Sequence, residues 1–227
     1  MLNEETICAL STAPGIGAIA LVRMTGPESL RIAQAVFSKD ISTAASSKAI
    51  HGWIMEGDQR IDDVLLTVFR GPNSFTGEDT VEIACHGSLF IQSEILRLLT
   101  NAGARLARGG EFTMRAFMNG KMDLSQAEAI GDLIASESAA AHRQAVHQMR
   151  GGCSKDINGL RDRLIHFAAL VELELDFAEE DVEFANREQF RSLLEEILSV
   201  VERLKASFKL GNVLKSGVPV AILGAPN

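Results

Sequence analysis

Basic residues are in the minority in this chain: 22 Lys and Arg stand against 30 Asp and Glu, for a formal net charge of −8. A protein that coats nucleic acid by bulk electrostatics carries the opposite balance, so any such contact would need a local basic patch. Cysteine is scarcer still. Cys8, Cys85 and Cys153 are odd in number and lack Cys-x-x-Cys spacing, which argues against a disulfide framework or a zinc site and reads as reduced, structural thiols. No apolar run approaches the roughly 20 residues that cross a bilayer. The N-terminus, Met-Leu-Asn-Glu-Glu-Thr-Ile-Cys-Ala-Leu, has no basic region of the kind that opens a secretory leader. The expected address is the cytoplasm, with no membrane partner. What remains is ordinary for a soluble globular protein: 227 residues, 46% apolar and 23% charged, enough for one large or two modest domains.

Proline is absent between Pro72 and Pro219, and the composition changes near residue 122. Before that point, short β-rich runs alternate with Gly, Pro and Asn turns. Thr6 to Ser11, Ala18 to Met24, Ala49 to Met55, Val64 to Phe69 and Thr80 to Cys85 read as strands, with helices over Glu28 to Phe37 and Leu89 to Thr100. This is an α/β domain with a mixed sheet, assigned to residues 1–121. Beyond it, apolar residues recur every three or four positions, through Ile157, Leu160, Leu164, Phe167, Val171 and Leu175, then Phe190, Leu193, Ile197, Val200, Leu204 and Phe208. The pattern predicts an all-α domain over 122–216. Its first helix is expected from Ser125 to Met149, opened by a capping box of Ser125 and Glu128, in a three-helix arrangement broken at Gly151-Gly152 and at Asn186.

The last residues, 217–227, form a third piece. Val218-Pro-Val-Ala-Ile-Leu reads as a short apolar strand running into Gly224-Ala-Pro-Asn227, the first four positions of a Walker loop whose second Gly, Lys and Ser/Thr are not in the sequence. The expectation is a chain that continues into a nucleotide-binding domain, and no GTP hydrolysis by these residues alone.

Three polar segments stand out in the α/β domain. Arg23 interrupts an apolar strand. Glu82 lies between Val81 and Ile83, where alternation sends it to the polar face, after a long turn from Gly71 to Asp79. Arg105, Arg108, Arg115 and Lys121 stand against the single carboxylate of Glu111, and Gly120 fits the left-handed position that ends a short helix and aims Lys121. By contrast Gly15-Ile-Gly-Ala-Ile-Ala20 matches the dinucleotide-binding pattern only superficially, because that pattern must open a helix and Ala18 to Met24 is β-like. His86 before Gly87 is either a ligand contact or a turn histidine. The other histidines lack metal-ligand spacing, and no metal site is named from them. The acidic run Glu172, Glu174, Asp176, Glu179, Glu180, Asp181 and Glu183 reads as a solvated helix end.

Three stretches, Pro14 to Pro27, Gly71 to Asp79 with Cys85 to Gly87, and Arg108 to Ile130, closely resemble the tRNA modification GTPase family known as MnmE or TrmE. The resemblance implies an N-terminal domain like the folate-binding domains of aminomethyltransferases, which forms a homodimer and binds a tetrahydrofolate derivative, 5-formyl or 5,10-methylene. Carried over by position, the folate contacts fall on Arg23, Glu82 and Lys121. The resemblance places Gly224 and Asn227 at the start of a loop that binds GTP and potassium, with Asn227 toward the potassium ion and magnesium held by residues beyond this sequence. It implies tRNA and the flavoprotein MnmG (GidA) as partners in adding an aminomethyl or carboxymethylaminomethyl group to a wobble uridine. The competing expectation is a free-standing folate-dependent aminomethyltransferase-like protein.

Overall fold

The computed structural model describes residues 5–176, 186–216 and Gly224. The chain divides into two compact units, Met1–Met122 and Asp123–Asn227. The Val218–Leu223 strand expectation and Asn227 lie outside the described residues.

The first unit is built on six strands: β1 (Ile7–Leu10), β2 (Ile19–Thr25), β3 (Lys48–Glu56), β4 (Gln59–Phe69), β5 (Thr80–His86) and β6 (Arg105–Leu106). They form one sheet in the order β3-β4-β5-β2-β1-β6, antiparallel except for the parallel β1–β6 pair. The β3–β4 hairpin turns through two residues with Gly57 at φ 59, which explains why β4 starts at Gln59 rather than at the expected Val64. The largely polar stretch Gln59 to Asp63 pairs with Trp53 to Glu56 despite its composition, with a bulge at Ile61 where the register shifts between Ile54 and Met55. β6 was invisible to alternation at two residues long.

Period-two alternation assigns the faces. Ala20, Val22 and Met24 of β2, Val64, Leu66 and Val68 of β4, and Val81, Ile83 and Cys85 of β5 are buried in one cluster. That face is covered by α1 (Ser29–Val36) and α2 (Leu89–Asn101), which contribute Ile32, Ala33, Val36, Ile95, Leu98 and Leu99 to the same core. The opposite face carries Ile19, Leu21, Arg23 and Thr25 of β2 directly across from His86, Ala84, Glu82 and Thr80 of β5. Leu65 and Thr67 of β4 continue it. It is partly open, since Ile19 is 70% and Leu65 48% exposed.

After Gly17 the chain enters β2, a strand, so the Gly-x-Gly segment opens no helix and holds no dinucleotide in the Rossmann manner. What approaches Gly17 is the backbone of Gly87: Gly17 N donates to Gly87 O at 3.0 Å, and a Cβ on Gly87 would lie 2.3 Å from Gly17 O.

The second unit has four described helices rather than three: α4 (Leu124–Ile134), α5 (Ala139–Met149), α6 (Gly152–Asp176) and α7 (Arg187–Ser216), with α3 (Glu111–Met118) belonging to the first unit. The expected continuous helix from Ser125 to Met149 is therefore two. Its capping box is also shifted: Asp123 is the N-cap, accepting from Gln126 N at 2.8 Å while Gln126 Oε1 accepts from Asp123 N at 2.9 Å. Asp-Leu-Ser-Gln satisfies two orphan amides as well as Ser-Gln-Ala-Glu would, and two residues earlier. Ser138 starts α5 by accepting from Ala141 N. The Gly151 break stands, at φ 74, and Asn186 caps α7 through Glu188 N and Gln189 N. Between α6 and α7, Phe167 stacks on Phe190 at 4.4 Å over Leu193. Of the acidic run, Glu174 is paired with Arg187 at 2.7 Å, so it is not a purely solvated face.

Candidate functional site

Arg23 and Glu82 are opposite one another in the β2–β5 register, so their side chains meet on the open face by construction. Arg23 Nε donates to Glu82 Oε1 at 2.8 Å, and Nη2 lies 2.6 Å from the same oxygen. The pair is only partly covered, at 26% and 21% side-chain exposure. Both guanidinium nitrogens converge on Oε1. Glu82 Oε2 accepts no hydrogen bond from any described residue. The guanidinium also lies 5.5 Å from the ring centre of Phe75 and 5.8 Å from that of Phe112, which flank it with aromatic surface.

Lys121 is aimed as its sequence position promised. Helix α3 ends in a Schellman motif, with Gly120 at φ 68, Gly120 N donating to Phe117 O and Lys121 N to Ala116 O. Its ammonium donates to Pro72 O at 2.8 Å, and its stem crosses Gly77, where a Cβ would lie 3.3 Å away. Lys121 thus pairs with the loop of residues 70–79 and not with Arg23 or Glu82. That loop connects all three residues: Phe75 flanks Arg23, and Pro72 holds Lys121.

Sequence reasoning missed what holds the loop. Glu78 reaches back to Arg115, whose Nη1 lies 3.2 Å from Glu78 Oε2 and whose Nη2 donates to Glu111 Oε1 at 3.4 Å. Arg115 and Glu111 are 1% and 2% exposed. Arg105 clamps Glu111 with two nitrogens, at 2.6 and 3.1 Å, and donates to Glu5 at 2.8 Å. The segment is therefore no free basic patch, because two of its four cations are neutralised inside the fold. The hydrogen bonds from Arg105, helped by Arg108 N and the nearby cations, hold the Glu111 carboxyl down at about 2. A hydroxyl cluster completes the anchor: Thr25 Oγ1 lies 2.6 Å from Thr76 Oγ1 and 2.9 Å from Thr80 Oγ1, while Asn119 Nδ2 donates to Thr76 O at 2.7 Å. The i, i+4 spacing of Glu111 and Arg115 was readable; their partner Glu78, 37 residues from Arg115, was not.

His86 is neither free nor merely backbone-satisfied, for Asp62 holds it at Nδ1, 2.7 Å away. Cys8 and Cys85 are buried, and burial raises each thiol to about 11, the Asp62 charge adding to it at Cys85. Neither is a nucleophile at neutral pH. Among the described residues, no three His, Cys, Asp or Glu side chains come together to hold a metal, and no helix is long and apolar enough to cross a membrane. Gly224 is exposed and Asn227 lies outside the described residues, so the potassium and nucleotide expectations have no geometry here.

A half-covered mixed sheet with a charged pair on its open face, followed by a helical unit, defines the class: an α/β domain and then a helical domain. Residues 6–121 match the family described as the N-terminus of the GTP-binding protein TrmE, and residues 124–219 match the MnmE helical domain. The chain is 55% identical to the tRNA modification GTPase MnmE of Christiangramia forsetii, over all of this chain and 49% of that protein. To the proteins of the same name from Flavobacterium johnsoniae and Porphyromonas gingivalis it is 53% and 51% identical, over 100% and 99% of this chain and 50% and 48% of theirs. The chain belongs to the MnmE (TrmE) family, and it spans about half the length of the curated relatives it matches.

Proposed function

We propose that this chain is the folate-binding and dimerising part of a tRNA modification GTPase. In this reading a tetrahydrofolate derivative, 5-formyl or 5,10-methylene, lies on the open face of the sheet against Arg23, Glu82 and Lys121. The observation that carries it is the half-used carboxylate: Arg23 fixes Glu82 through Oε1, and Oε2 takes no hydrogen bond from a described residue. A pterin edge offers paired N–H donors to such an oxygen, at a place flanked by the rings of Phe75 and Phe112. Lys121, a fixed cation beside the same loop, suits a ring carbonyl or the anionic glutamate tail.

The rest of the activity belongs to the longer protein. Gly224 to Asn227 would begin its GTP- and potassium-binding loop, with magnesium bound further on. With tRNA and a flavoprotein partner of the MnmG kind, the whole protein would add an aminomethyl or carboxymethylaminomethyl group to a wobble uridine in the cytoplasm. These parts rest on kinship with the relatives named above. Calorimetric titration of the chain with 5-formyltetrahydrofolate tests the local claim. Saturable binding at one site per chain is expected; no heat of binding at millimolar ligand would refute it.

A further inference from the structure

His86 stands on the same sheet face as Glu82, four residues along β5, or about 13 Å at strand rise. Its side chain is 66% exposed, but the carboxylate behind it is not: Asp62 is 7% exposed. Both oxygens of Asp62 are committed to this one residue. Oδ2 accepts the His86 backbone N–H at 2.9 Å, and Oδ1 holds Nδ1 at 2.7 Å. A carboxylate only accepts, so Nδ1 donates to Asp62, while Nε2 has no hydrogen-bond partner among the described residues. Burying a carboxylate to orient one exposed ring is costly for a turn histidine. It is what an oriented proton acceptor requires, as in hydrolases where a buried Asp fixes the tautomer of the base. The contrast within the same sheet is His51 with Asp63, both well exposed at 61% and 41%, an ordinary surface pair.

The ring is also held in place from its own backbone. Gly87 is locked to the preceding loop by Gly17 N to Gly87 O at 3.0 Å and Gly87 N to Ala18 O at 3.3 Å. Between His86 and the Arg23–Glu82 pair the face is apolar, made by Leu21, Ala84 and Leu65. A lane with a carboxylate at one end and an oriented imidazole at the other, floored by aliphatic side chains, fits a flat, elongated ligand.

We propose that His86, oriented by Asp62, is the proton-transfer group for one-carbon chemistry on this face. The inference rests on the folate reading above. With a folate whose methylene carbon bridges two ring nitrogens, an incoming amine forms a new carbon–nitrogen bond as the bond to one folate nitrogen breaks. The electron pair of the broken bond stays on that nitrogen. The surplus proton of the amine passes to His86 Nε2, and from there to the released folate nitrogen, so no oxidant or reductant is needed. Asp62 stabilises the transient imidazolium.

Two measurements on one set of proteins test it. In the ¹⁵N-histidine spectrum of the chain, with His86 assigned by His86→Gln, saturation with 5-formyltetrahydrofolate should shift Nε2 of His86 and leave His142, His147 and His166 unmoved. His86→Gln should keep folate affinity within about threefold. In the full-length protein with its flavoprotein partner it should lower turnover about 10²-fold to 10⁴-fold at unchanged folate KM. Asp62→Asn should lower turnover likewise and reverse the Nδ1 tautomer. Saturable binding that leaves both His86 nitrogens unmoved, or near-normal turnover of His86→Gln, would overturn the dyad and leave the folate reading standing. No binding by the unaltered chain would remove both.

Discussion

Glu111 shows how one buried carboxylate governs the acid response of this domain. Its carboxyl is lowered from 4.5 to about 2, chiefly by the Arg105 hydrogen bonds. A group that binds its proton less readily when folded contributes stability above its ordinary value, and that contribution is lost as pH falls from about 4.5 through about 2. The shift corresponds to at most about 3 kcal/mol. Urea unfolding of the chain between pH 6 and pH 2.5 should show this loss, and Glu111→Gln should flatten the curve there; an unchanged slope would contradict the pairing. The buried thiols make a second residue-scale prediction: Cys8 and Cys85, each raised to about 11, should react with a disulfide reagent at pH 8 only as fast as the domain unfolds. Modification of either within seconds in native buffer would count against the packing. At this scale the sequence was a good guide to which residues are unusual, since Arg23, Glu82 and Lys121 all interrupt apolar or glycine-shaped segments. It could not show that two of them satisfy each other, because the pairing depends on β2–β5 register across 59 residues.

The 70–79 loop and α3 act as one element. Glu78, Arg115 and Glu111 join them under nearly complete burial, and Asn119 and Lys121 add one bond each from the helix end to the loop. Arg115→Ala would leave two carboxylates without their shared cation, and should cost about 3–5 kcal/mol by chemical denaturation. Asn119→Ala removes the bond to Thr76 O, and should cost about 1 kcal/mol while loosening Lys121. A folate affinity unchanged by Asn119→Ala would mean the loop does not set the site. The helical unit offers a simpler check: Asp123→Ala breaks a reciprocal cap and should destabilise α4 by about 0.5–2 kcal/mol. Elements themselves were largely legible, because alternation and three-four periodicity are local signals. Where they failed, the cause was local too. Two capping boxes two residues apart compete near residue 124, and a tight Gly57 turn carries a polar stretch into β4.

For the whole molecule, the first unit encloses its own core, from Cys8 to Ala104. It should therefore unfold cooperatively when made alone as residues 1–122, and self-association should be carried by it. The central claim is that the Arg23–Glu82 pair serves a ligand and does not only hold β2 to β5. Exposed by a fifth to a quarter, it contributes little to folding. The direct measurement is paired: folate affinity and melting temperature of Glu82→Ala against the unaltered chain. Affinity should fall by about 30-fold to 150-fold, equivalent to about 2–3 kcal/mol, with melting shifted by only a few degrees. Unchanged affinity with a strongly lowered melting temperature would contradict the claim.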